Sequence, residues 1–155
     1  MAERPHWDLV LSLSDRAAAA GLGPLPERAH TFPWVPQREV LAHADVAVTH
    51  GGIHTLDECV VAGVPMLVYC GFETDMAGNT ARVVYHGIGI AGDRRRDGTP
   101  AIRGHVDRLL SQGAYRERLQ RLQSLYLAYA KDQVAERVVD RLLASGPASG
   151  GGSGP

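Results

Sequence analysis

The chain has 155 residues, of which 45% are apolar and 21% charged, with a formal net charge of −1. This is the size of one ordinary domain with enough apolar mass for a core; the charge gives no basic face for nucleic acid, and no apolar run approaches the roughly 20 residues of a membrane span. Residues 1–5 lack a signal-peptide core, and Cys59 and Cys70 read as reduced thiols of a cytoplasmic protein, with no metal-like pairing among the seven histidines.

Residues 7–13 are short and apolar, as a buried strand would be. An alanine-rich helical turn at 16–20 stops at Gly21, and Gly23-Pro24-Leu25-Pro26 is a loop. Residues 29–32 read as a short extended piece leaving through Pro33 and Pro36, followed by a small helix over 37–43 with Val40 and Leu41 inward. A strand at 46–49 runs into Gly51-Gly52. The spacing then predicts a helix over 55–62, opened by a Thr55–Glu58 capping box and closed by Gly63. Residues 66–69 form the next buried strand, 77–86 a helix stopped by Gly87, and 88–90 another strand. After a charged loop at 93–98, Thr99-Pro100 opens a helix to about 111. Residues 115–143 are helical by pattern, with Leu119, Leu122, Tyr126 and Tyr129 on one face and a break near Lys131-Asp132. Residues 1–144 therefore read as one domain, and 145–155 as a disordered tail of glycine, serine and proline.

Strands alternating with helices through short loops indicate an α/β, Rossmann-like parallel sheet with helices on both faces. Ligands of such sheets lie at the carboxyl ends of the strands. His50-Gly51-Gly52 and residues 70–75 both fall there. A strand that ends in glycines and feeds a helix N-terminus brings unpaired backbone N–H groups and the positive end of the helix dipole to one point, an arrangement suited to an anion.

Trp34-Val35-Pro36-Gln37, His50-Gly51-Gly52 with Thr55 and Glu58, Gly63-Val64-Pro65, and Asp75 with Asn79 occur in the order and spacing of a known signature. It resembles the donor-binding half of the UDP-glycosyltransferase superfamily, the C-terminal domain of a GT-B enzyme. The bacterial branch that glycosylates macrolides and other natural products is the closer match. The resemblance implies that Trp34 lies on the nucleobase and that Gln37, or the backbone of Val35, pairs with the base edge or ribose. It implies that His50 and the N–H groups from Gly52 to Thr55 hold the diphosphate, and that Glu58 accepts from ribose hydroxyls in competition with its capping role. Asp75 holds sugar hydroxyls. No cofactor is implied; the UDP- or dTDP-linked sugar is a substrate.

Several departures qualify that picture, among them Cys70 in place of a frequent proline, with no evident consequence. His54 stands where an asparagine is usual, either as a second imidazole near the phosphates or as filler. Met76 stands where glucose users carry glutamine, and a thioether cannot serve sugar hydroxyls, which favours a deoxysugar. The acceptor site and catalytic base of the family, and the first, central strand of this domain, have no counterpart here. The expectation is a donor-binding portion that needs an N-terminal acceptor domain on another chain, or self-association over an exposed sheet edge. The alternative is a non-catalytic assembly module with a vestigial donor site; an epimerase reading lacks its carboxylate pair.

Overall fold

The computed structural model describes residues 6–13, 21–71, 74–131 and 134–144. The helical turn expected at 16–20 and the tail at 145–155 lie outside them. The chain groups into two compact units, Met1–His43 and Ala44–Pro155.

In the first unit, β1 (Leu9–Ser12) and β2 (Ala29–Phe32) are parallel, with Leu9 opposite Ala29 and Ser12 opposite Phe32. Asp8 and Arg28 form an ion pair at the start of the ladder. The buried strand expected at 7–13 is only partly buried in β1. Its residues alternate between half-buried and exposed, as in a strand covered on one face only. α1 (Gln37–Leu41) follows Pro36 and ends two residues earlier than expected, with Leu41 buried and Val40 half-buried.

The second unit runs β3 (Ala47–Thr49), α2 (Ile53–Ala62), β4 (Met66–Val68), α3 (Thr74–Tyr85), β5 (Gly89–Ala91), α4 (Thr99–Ser111), α5 (Gly113–Lys131) and α6 (Val134–Ala144). Its sheet has the order β3-β4-β5, all parallel. Met66, Leu67 and Val68 are completely buried, which is why β4 reads as an unbroken apolar run rather than an alternating one. Leu109 of α4 packs on Leu67 and Ile90, with Val46, Tyr69, Val106 and Tyr115 around them. α5 lies against α2: Leu119 is fully buried, Gln123 Nε2 donates to the Val61 carbonyl at 2.5 Å, and Tyr126 Oη donates to Asp57 Oδ1 at 3.1 Å. Arg116 pairs with Asp45 at 2.7 Å, tying α5 to the segment that enters β3. Among the described residues β1 pairs only with β2 and β3 only with β4, so the five strands form two sheets. Among the described residues no helix is long and apolar enough to cross a membrane.

Two helix starts differ from expectation. α2 begins at Ile53, with Gly52 as N-cap and no side-chain capping bond; its first intrahelical bond runs from Leu56 N to the Gly52 carbonyl at 3.1 Å. Thr55 is therefore already inside the first turn and Glu58 in the second, so the capping box does not form. α3 begins at Thr74 rather than 77, which moves Asp75 from a loop into the first helical turn.

The β3–α2 turn is held from α3. Gly51 has φ +95°, a conformation that side chains disfavour, and a Cβ there would lie 3.1 Å from Val68 Cγ1 and 3.2 Å from Thr80 Oγ1. Asn79, only 7% exposed, donates from Nδ2 to the Gly51 carbonyl at 3.1 Å. Beside it, Thr80 Oγ1 donates to the Met76 carbonyl at 2.7 Å. Replacing Asn79 by Ala strands a buried carbonyl and is expected to cost about 1–3 kcal/mol in denaturant unfolding. Gly51→Ala adds backbone strain of about 1–3 kcal/mol to a tight contact and is expected to destabilise at least as much.

Burial pushes the Cys59 thiol from 9.0 up to about 12, with the nearby Glu58 adding to the effect. The unfolded chain loses this proton first on an alkaline titration, so the stabilisation is intact below pH 9.0 and declines as pH rises toward about 12. Thermal melts between pH 8 and 11 are expected to show that decline, flattened in Cys59→Ala. A thiol reagent at pH 8 is expected to spare Cys59 in the folded state.

Candidate functional site

Because β3, β4 and β5 are parallel, the segments leaving them emerge on one edge of the sheet: His50-Gly51-Gly52 after β3, Tyr69 to Gly71 after β4, and Gly92 to Asp97 after β5. The first of these forms an open helix entrance. Gly52, the N-cap of α2, sits at φ −64° and ψ 133°, extended backbone, and no acidic side chain occupies the first turn. His50 is exposed, and its Nε2 lies 2.9 Å from where a Cβ on Gly52 would be. The imidazole thus fills the space that the missing side chain leaves, beside the positive end of α2.

The expected site residues of this unit fall into two groups. His50, Gly51, Gly52, His54 and Thr55 occupy the turn and the first turn of α2, with His54 exposed and Thr55 half-buried; Glu58 follows one turn on, also half-buried. Asp75, Met76 and Asn79 come from the first turns of α3. Asp75 is exposed, while Met76 is half-buried with Sδ 3.4 Å from where a Cβ on Gly71 would be. The Asn79–Gly51 hydrogen bond joins the groups, so Asn79 supports the turn and spends its amide on backbone. Trp34, Val35 and Gln37 belong to the first unit: Trp34 is 74% exposed, Val35 half-buried, and Gln37 exposed at the start of α1.

Sequence reasoning missed a second cluster on the same edge. Tyr69 Oη donates to Asp97 Oδ2 at 2.9 Å, and His105 Nε2 lies 3.2 Å from the same oxygen. The Asp93 backbone N–H reaches it at 3.0 Å and is foremost in holding the Asp97 carboxyl below its ordinary range. Tyr69 itself is pushed up to about 12 by burial and by Asp97. The available signal was a tyrosine ending an apolar strand and a pair of aspartates four apart in a turn after the next strand. Among the described residues no group of three His, Cys, Asp or Glu is placed to hold a metal ion.

The family model for the erythromycin biosynthesis protein CIII-like C-terminal domain matches residues 5–144. The oleandomycin glycosyltransferase of Streptomyces antibioticus is 30% identical over 146 residues, covering 93% of this chain and 33% of that protein. The crystal structure of the glycotransferase of kitacinnamycin superposes with a TM-score of 0.83 at 37% identity, over 91% of this chain and 36% of that one. The glycosyltransferase VinC, crystallised in complex with dTDP, superposes with a TM-score of 0.77 at 25% identity, over 88% and 35%. This chain thus spans about a third of the length of the relatives it matches. With a parallel α/β fold, an open helix entrance at the carboxyl edge and a match from residue 5 to 144, the chain belongs to the erythromycin biosynthesis protein CIII-like C-terminal domain family, whose structural neighbours are GT-B glycosyltransferases.

Proposed function

We propose that this chain is the donor-binding portion of an inverting glycosyltransferase that moves a deoxysugar from a UDP- or dTDP-linked donor to a natural-product hydroxyl. The observation that carries the reading is the end of β3, where His50 folds over Gly52 beside a helix N-terminus whose N-cap is that glycine. The dTDP complex of VinC supports the same donor class.

In this reading Trp34 stacks on the nucleobase, Val35 and Gln37 meet its edge or the ribose, and Glu58 takes ribose hydroxyls. His50, His54, Thr55 and the Gly51-Gly52 turn face the diphosphate, with Asn79 keeping the turn in place. Asp75 holds sugar hydroxyls, and Met76 presents an apolar wall where a deoxysugar lacks one. The acceptor oxygen, deprotonated by a base from an acceptor domain, attacks the anomeric carbon as its bond to the diphosphate breaks. The electron pair of that bond leaves on the phosphate oxygen, where the α2 entrance and His50 offset the charge; such donors are each worth about 3 kcal/mol in other enzymes. A second chain, or a second copy over the open edge of β3, is the candidate source of the missing surface.

Titration calorimetry with dTDP and UDP tests the reading. The wild-type chain is expected to bind at least one. His50→Ala removes a bond to a charged group and is expected to weaken binding about 10- to 100-fold. Trp34→Ala is expected to lose about 1–3 kcal/mol of base stacking. Met76→Gln is expected to shift preference toward fully hydroxylated hexoses. A folded chain that binds neither nucleotide overturns the proposal and favours an assembly module.

A further inference from the structure

We propose that Tyr69, fastened by Asp97, is a positioning residue for the sugar end of the donor; the inference rests on the donor-site reading above. Tyr69 is the first residue beyond β4, and it is held from both sides. Its backbone N–H donates to the Thr49 carbonyl at 2.9 Å, continuing the ladder toward β3. Its ring reaches the opposite way and lies on Gly92, where any Cβ would come 2.1 Å from Cε1. Gly92 N in turn donates to the Val68 carbonyl at 2.9 Å, so the strand ends stay in register beneath the ring.

The hydroxyl completes the fastening. Asp97 Oδ2 accepts from Tyr69 Oη and the Asp93 N–H, with His105 Nε2 of α4 alongside. One carboxylate oxygen, on a side chain 14% exposed, therefore ties together the exits of β4 and β5 and the first half of α4. The Asp93–Asp97 turn is itself closed by Asp97 N to the Asp93 carbonyl at 2.8 Å and Arg95 N to Asp93 Oδ1 at 2.8 Å, so the acceptor is anchored.

What the fastening controls follows from chain order. In sequence, four residues separate Tyr69 from the start of α3 at Thr74, and Gly71, two residues beyond Tyr69, is packed near Met76 Sδ. α3 has its own tie to the phosphate turn, through Asn79. Its first turn, with Asp75 and Met76, is approached from Tyr69. Loosening Tyr69 should therefore disturb the sugar contacts and leave the diphosphate contacts alone. Phenylalanine at 69 retains the ring on Gly92 and removes only the bond to Asp97, which keeps its Asp93 and His105 neighbours.

The test compares dTDP with dTDP-L-rhamnose, a 6-deoxyhexose donor, by calorimetry on the full chain. For Tyr69→Phe and Asp97→Asn the dTDP affinity is expected to stay within about twofold of wild type. The dTDP-rhamnose affinity is expected to fall about five- to tenfold, the size of one lost hydrogen bond. A purely structural role lowers the melting temperature and leaves the ratio of the two affinities unchanged; that result overturns the inference even if dTDP binding is intact. Should one variant fail to fold by circular dichroism, the ratio in the other decides. Failure of the wild-type chain to bind dTDP or UDP removes the donor-site reading and this inference together, whereas an unchanged ratio removes this inference alone.

Discussion

The hydrogen bond from Asn79 to the Gly51 carbonyl is the constraint on which the candidate site depends. Gly51 adopts a positive φ so that the chain can leave β3 and enter α2 without an intervening loop, and that turn puts its carbonyl against α3. A buried carbonyl without a donor is costly, and a buried amide without an acceptor is equally so. Asn79 and Gly51 satisfy each other, and the two helices that frame the site are thereby fixed to one another through a single peptide. Thr80, the other buried polar side chain among the described residues, stands beside the same turn and bonds within α3.

Around that bond, the edge of the sheet carries two separate polar networks. One is backbone-centred and lies at the end of β3, where the helix entrance and His50 favour a concentrated negative charge. The other is centred on Asp97 and joins β4, β5 and α4 through side chains. A helix N-terminus favours an anion, so the first network differs in chemical character from the second, which is built on a carboxylate. The two networks share none of their described hydrogen bonds: one is joined through Asn79 and Gly51, the other through Asp97.

Beneath the edge, the apolar packing explains why these networks stay in place. β4 has no exposed residue, and Leu109 and Leu119 bring α4 and α5 onto the core from different helices. Cys59, on the inward face of α2, is completely buried, and that burial favours its neutral thiol. By contrast Val48 on β3 is 58% exposed, and β3 has no strand partner other than β4 among the described residues.

The apolar runs of 46–49 and 66–69, the stops at Gly63 and Gly87 and the alternation of strand and helix were legible without coordinates, because each is a local consequence of side-chain period and backbone freedom. The glycine turn after β3 was legible for the same reason. The start of α2 was not. Thr55-x-x-Glu58 has the composition of a capping box, yet the extended backbone of Gly52 let the helix begin earlier, and nothing in a four-residue pattern weighs that alternative. The sequence by itself determined the fold class, the strand-to-helix turn and the types of residue at the carboxyl edge. Only the tertiary structure decided that Asn79 serves the backbone rather than facing outward, and that Tyr69 meets Asp97 across 28 positions. Those pairings depend on which parallel strands lie side by side and how far a side chain reaches across them, quantities that no local pattern contains.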